Sequence, residues 1–256
     1  MNPWEKGILC LSAGLTAAVL VNLCWSGLVY TYKLFFCYLA ADFLSSIAAL
    51  TIPYDTNWYV DVYFSSQTLK IVLGAFVLVE IYALALAGTP ALARFGRKVV
   101  SYILGAAALV PVVGVLLDHS TSRHPYLRGF FLFEQTMDGT MALFLIIISI
   151  FMAWFPVRMR RNVIVYIGGF IVWSLSRSAM LHVVNQWSGN KQVSVVANSV
   201  EMGVIIGCLL LWLLGMKREG ESLTAVVGHL WNRAEADRLT EQMDAINNSL
   251  ERLRRK

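Results

Sequence analysis

The chain alternates long apolar runs with short polar gaps. The runs are Gly7–Tyr30, Leu34–Ile52, Gln67–Gly88, Val99–Leu117, Gln135–Phe155, Val163–Val184 and Ser199–Met216. Each holds roughly twenty residues, the length a helix rising ~1.5 Å per residue needs to cross a hydrocarbon core ~30 Å thick. A soluble core cannot use so much unbroken apolar surface, whereas a lipid-facing surface can, because its solvent is itself apolar. The pattern predicts an all-α polytopic bundle of about seven transmembrane helices over residues 1–218. A C-terminal cytoplasmic amphipathic helix is expected in the tail, 219–256. Lys6 precedes the first run, but Glu5 balances it. The run is also too long for a signal h-region, so it reads as the first span.

Composition agrees with this. Hydrophobic residues make up 57% and charged residues 14%, against ~25% charged in ordinary soluble domains. Lys and Arg are unevenly placed. One set of gaps holds Lys33, then Arg94, Arg97 and Lys98, then Arg158, Arg160 and Arg161, then Lys217 and Arg218. The alternate set holds Lys6, Arg123, Arg128 and Lys191. Basic loops stay cytoplasmic, which predicts an outer N-terminus and a cytoplasmic C-terminus in a plasma (inner) membrane. The net charge of +5 and pI of about 9.1 then reflect topology. The counter-charge is membrane lipid, whose anionic headgroups line the inner leaflet, and no nucleic-acid partner is implied. Aromatics at Tyr54, Trp58, Tyr59, Tyr63 and Phe64 crowd one outer gap. Amphipathic rings favour the headgroup level, so Tyr54–Ser66 is expected as a short interfacial helix or as a loop that dips its rings.

Ionisable residues inside spans are costly, and by default they mark function or structural pairing. They sort into two expected layers. Near the midplane lie Asp42, Glu80 and Asn22, with Ser45, Ser46 and Ala49 on the Asp42 face. Two acids at similar depth are placed to share a proton or hold a cation, or to pin helix packing. The outer layer holds Arg177, Glu201, Asp138, His182 and Lys70. Guanidinium keeps its charge, so Arg177 needs a carboxylate, a carbonyl or an anion. Glu201 and Asp138 are the internal partners to expect, beside Ser174, Ser178 and Trp173. Such a layer forms either a closed ion-pair network or an outward pocket for a small polar or anionic ligand.

Pro111 is expected to kink the fourth span. Gly203-x-x-x-Gly207, Gly14 with Ala18, and Gly168–Gly169 are expected to let helices approach closely. Cys10, Cys24, Cys37 and Cys208 all fall in spans, without C-x-x-C spacing, and imply neither disulfide nor thiolate site.

Cofactor chemistry finds little support. Retinal needs a lysine in the last span, and Ser199–Met216 has none. The third and seventh spans lack the acid-Arg-aromatic and Asn-Pro-x-x-aromatic motifs of G-protein-coupled receptors. Haem usually takes paired membrane histidines, and only His182 lies in a span. Asp118, His119 and His124 are weakly spaced for zinc. No H-E-x-x-H, G-x-S-x-G or P-loop occurs. The expectation is a non-enzyme with no cofactor and no metal.

In the tail, Leu239, Met243, Ile246, Leu250 and Leu253 recur as an a/d seam. Three uses fit it: a homodimer seam, a docking helix for a cytoplasmic protein partner, or a helix lying on lipid. The stretch Gln242-Met243-Asp244-Ala245-Ile246-Asn247, ending in a basic cluster, resembles the tails of uncharacterised bacterial seven-helix membrane proteins. That resemblance implies no activity and no site residue. Three functions remain: a receptor-like or sensor-type module with an outer pocket coupled to the tail, a secondary transporter or ion carrier using midplane carboxylates, and a structural scaffold without ligand.

Overall fold

The apolar runs become helices. The structure, a computed structural model, describes residues 3–53, 57–86, 125–154, 157–187, 191–222 and 224–227. It also describes single helical residues at Tyr102, Gly105, Leu109, Arg238, Glu241, Gln242 and Ala245. The long helices are α1 (Pro3–Trp25), α2 (Lys33–Thr51), α3 (Asn57–Ala85), α4 (Pro125–Trp154), α5 (Arg161–Gln186) and α6 (Lys191–Gly215). Among the described residues these 6 helices are long and apolar enough to cross a membrane, the architecture of a multi-pass membrane protein. Of the fourth expected span, only Tyr102, Gly105 and Leu109 are described, and all three are helical. Pro111 lies outside the described residues.

The helices are apolar on both faces, as lipid requires. Leu44, Val72, Leu143, Ile147, Ile150, Val172 and Leu214 are exposed mid-helix. The interior holds an aromatic core of Tyr32, Phe35, Tyr38, Tyr166, Phe170, Trp173 and Trp212. Trp173 stacks on Trp212 with ring centroids 5.7 Å apart. Phe35 meets both Tyr166, at 4.6 Å, and Trp212, at 4.8 Å.

The helix ends sort into two faces of the bundle. One, here the pocket end, holds the start of α3, the C-terminal part of α5 and the start of α6. The other, the tail end, gathers the ends of α1 and α6 and the starts of α2 and α5. Helices α3 and α4 run parallel: Phe64 packs on Phe130 at 4.6 Å, and Tyr82 on Phe144 at 6.3 Å.

Helix boundaries depart from the apolar runs in instructive ways. Residues 57–66, expected as an interfacial helix or dipping loop, are instead the first turns of α3. Close approach occurs at Gly169, where an added Cβ would collide with the Trp212 ring, and at Gly215, where one would sit 2.7 Å from Val165. At Gly14, Gly168, Gly203 and Gly207, by contrast, no described atom lies within 4 Å of an added Cβ. Those glycines do not mediate packing among the described helices.

The tail begins differently from the amphipathic helix expected there. After α6, a 3-10 turn at Arg218–Glu221 leads into strand β2 (Thr224–Val227). It pairs antiparallel with β1 (Val157–Arg160), register running from Val157 opposite Val227 to Arg160 opposite Thr224. The seam residues Leu239, Met243, Ile246, Leu250 and Leu253 lie outside the described residues.

Candidate functional site at the pocket end

Arg177 on α5 organises the pocket end. It is 15% exposed and forms an ion pair with Glu134 of α4, which is 1% exposed. Its Nε lies 2.9 Å from Oδ2 of Asp138, although the angle is not that of a hydrogen bond. Glu201 of α6 stands further off, at 3.9 Å. The guanidinium also donates to Oε1 of Gln67 on α3, at 2.9 Å. One guanidinium thus ties four helices together. Planar, multi-donor geometry suits it to that role better than lysine.

Lys70 and Asp42 form a second pair, at 3.3 Å, between α3 and α2. Both pairs border a cavity of about 780 Å³. All six long helices contribute to it, α4 through Glu134, and Ser45, Ser46 and Ala49 line it beside Asp42. The small polar face read from the α2 sequence is therefore a cavity wall. Exposed Trp4, Asn198 and Ser199 also line it. Trp173 of the aromatic core is also part of the lining.

No family model, curated protein or solved structure matches the chain. Its site is therefore described from its own geometry.

Of the outer-layer residues, Arg177, Asp138, Glu201 and Lys70 gather at this end. His182 does not join them; it is exposed, with Nδ1 3.0 Å from Gln135 Nε2. The midplane group disperses. Asp42 belongs to the cavity with Lys70. Glu80 sits at the start of α2, accepting from the Leu34 and Phe35 amides at 3.0 and 3.2 Å and from the Tyr166 hydroxyl at 3.2 Å. It caps a helix N-terminus, where free amides and the helix dipole favour a carboxylate. Asn22 is in the last turn of α1 and donates to the carbonyls of Leu213 and Met216 at the end of α6.

Glu134 and Gln67 were missed from sequence. Glu134 falls one residue before the apolar run, so a hydropathy boundary discards it. Its spacing of four from Asp138 puts both acids on one face of α4, and that was the available signal.

A second polar cluster joins the tail end. Glu221 accepts from the Tyr32 hydroxyl at 2.6 Å, from Arg160 at 2.7 Å and from Asn162 Nδ2 at 2.9 Å. Buried Asn162 also donates to the Lys217 carbonyl at 2.8 Å and accepts from the Lys217 amide at 3.2 Å. Burial opposes the charge on Glu221, but the hydrogen bonds from Tyr32, Asn162 and Arg160 outweigh it and hold its carboxyl below the usual range. Burial, and then the bond to that carboxylate, push the Tyr32 hydroxyl upward. This clasp fixes the start of the tail to the bundle.

Proposed function

We propose that this protein is a sensor-type membrane module: a small ligand enters the pocket-end cavity from outside and biases the packing of α5 against α6. The tail-end clasp then reports that packing to the cytoplasm. The observation that carries this function is that α5 and the α6 arm hold both ends of the device. Arg177 and Glu201 belong to the pocket, and Asn162 and Glu221 belong to the clasp. Between them the two helices share the Trp173–Trp212 stack and the Gly169 contact. Packed interfaces of this kind switch between discrete arrangements rather than deforming smoothly.

Orientation follows from the basic residues. Lys33, Arg160, Arg161, Lys217 and Arg218 gather at the tail end, which supports the reading of that end as cytoplasmic, in a plasma (inner) membrane. The parallel course of α3 and α4 supports a further crossing. Both run from pocket end to tail end, as the seven-span reading of the sequence requires.

A carrier is less well supported. Asp42 is engaged by Lys70 and Glu80 by a helix terminus, so the two acids form no shared proton or ion site.

The test is a disulfide cross-link across the ribbon. Met159→Cys with Ala225→Cys, which pair in register, is made with the native cysteines replaced. Arg177→Gln is expected to change the cross-linking rate severalfold relative to the otherwise unaltered pair. An unchanged rate rules out coupling between the pocket and the clasp.

A further inference from the structure

We infer that the pocket-end cavity takes a small organic cation, an ammonium group carried on an apolar body, with Glu201 and Glu134 as its counter-charges. The inference rests on the cavity being a ligand site and names the class of ligand. Four carboxylates, Asp42, Glu134, Asp138 and Glu201, surround two bases, Lys70 and Arg177. Lys70 is committed to Asp42 at 3.3 Å. Arg177 is left to serve the other three. The cluster therefore carries a formal excess of two negative charges. An entering anion meets bases that are already committed, and it adds to that excess. A cation relieves it.

Two details locate the counter-charge. Glu134 lines the cavity, its side chain is 1% exposed, and its Oε2 has no hydrogen-bond partner. A buried carboxylate oxygen without a donor is costly, and the positive charge of an ammonium group set against it offsets that cost. Glu201 also lines the cavity and is the carboxylate held most loosely by Arg177, at 3.9 Å with 22% exposure. It is the group free to turn to a ligand.

The lining selects an organic cation over a metal ion. Among the described residues, no group of three or more His, Cys, Asp or Glu is placed to hold a metal. Rings of Trp4, Tyr59, Tyr63 and Trp173 line the cavity instead, and aromatic faces attract ammonium groups. A volume of about 780 Å³ falls in the range of small-molecule sites, roughly 300–1,000 Å³.

The test uses the full chain in lipid nanodiscs, with benzyltrimethylammonium as cation and benzenesulfonate as an anion of similar size. Thermal unfolding and titration calorimetry give the response. Benzyltrimethylammonium is expected to raise the melting temperature saturably, and benzenesulfonate to leave it unchanged. Glu201→Gln is expected to weaken the cation at least tenfold. Ser199→Trp, which puts a bulky ring into the cavity lining without altering a charge, is expected to weaken binding severalfold and decides the matter if Glu201→Gln does not fold. Binding of benzenesulfonate alone overturns the cation and leaves the pocket standing. An equal response to sodium chloride, or a cation affinity untouched by both variants, also overturns the cation inference. Silence from both probes overturns the pocket as well.

Discussion

Replacing Arg177 with Gln removes the cation that two deeply buried carboxylates share. Glu134 and Asp138 keep side-chain exposures of 1% and 9%, so neither is hydrated once the guanidinium is gone. Breaking a buried pair in this way typically costs about 3–5 kcal/mol, most of it the stranded charge. The reverse substitution is different. Glu134→Gln keeps an oxygen acceptor for Arg177, which still has Asp138 at 2.9 Å and Glu201 at 3.9 Å. It also lowers the negative excess of the cluster from two to one. Its expected cost is about 1 kcal/mol or less, the scale of one hydrogen bond. Equilibrium unfolding in mixed micelles, followed by the fluorescence of buried Trp173 and Trp212, reads both. A closed one-to-one pair predicts equal costs. Glu134→Gln as damaging as Arg177→Gln would refute the surplus-acid account.

At the tail end, Glu80→Ala removes the acceptor for the Leu34 and Phe35 amides and the Tyr166 hydroxyl. An N-cap is worth about 1 kcal/mol and a stranded buried donor about 1–3 kcal/mol. Unfolding titrations should therefore show a loss of about 2–4 kcal/mol, and a loss under 0.5 kcal/mol would remove the capping role. Gly169→Val places a side chain where the Trp212 ring lies; the expected result is a lowered melting temperature and a red-shifted tryptophan emission, which an unchanged spectrum would contradict. For the clasp, the Glu221 carboxyl is held below its ordinary value of 4.5. A depressed carboxylate contributes its full stability above the ordinary value and loses it only as pH falls through the lowered one. The stability lost on Glu221→Gln is thus expected to be constant from about pH 8 to 5 and to shrink only in stronger acid. A transition near pH 6–7 would assign control of the clasp to another group.

Much of the architecture was legible because apolar run length is a direct measure of membrane thickness. Depth was less legible. Hydropathy placed the start of the third span at Gln67, whereas α3 begins at Asn57, some three turns earlier. Lys70 therefore sits well inside the helix and reaches Asp42, although sequence placed one near the surface and the other near the midplane. Asn22 shifted the opposite way, because α1 ends at Trp25 rather than Tyr30. Of the outer cluster, Arg177, Asp138 and Glu201 could be read from the rarity of charge in lipid. Glu134 was signalled only by its spacing of four from Asp138, because it lies outside the run. The β1–β2 ribbon was hidden for another reason: Val157–Arg160 reads as a basic turn, and its partner lies far along the chain, where pairing leaves no local periodicity.

The central claim is that the pocket and the tail-end clasp are one device. Hydrogen exchange of the Thr224–Val227 amides tests it most directly, measured in nanodiscs with and without saturating benzyltrimethylammonium and again in Ser199→Trp. The account predicts that occupancy alters ribbon protection severalfold and that Ser199→Trp responds only at a higher cation concentration. Identical exchange with and without bound cation would contradict it.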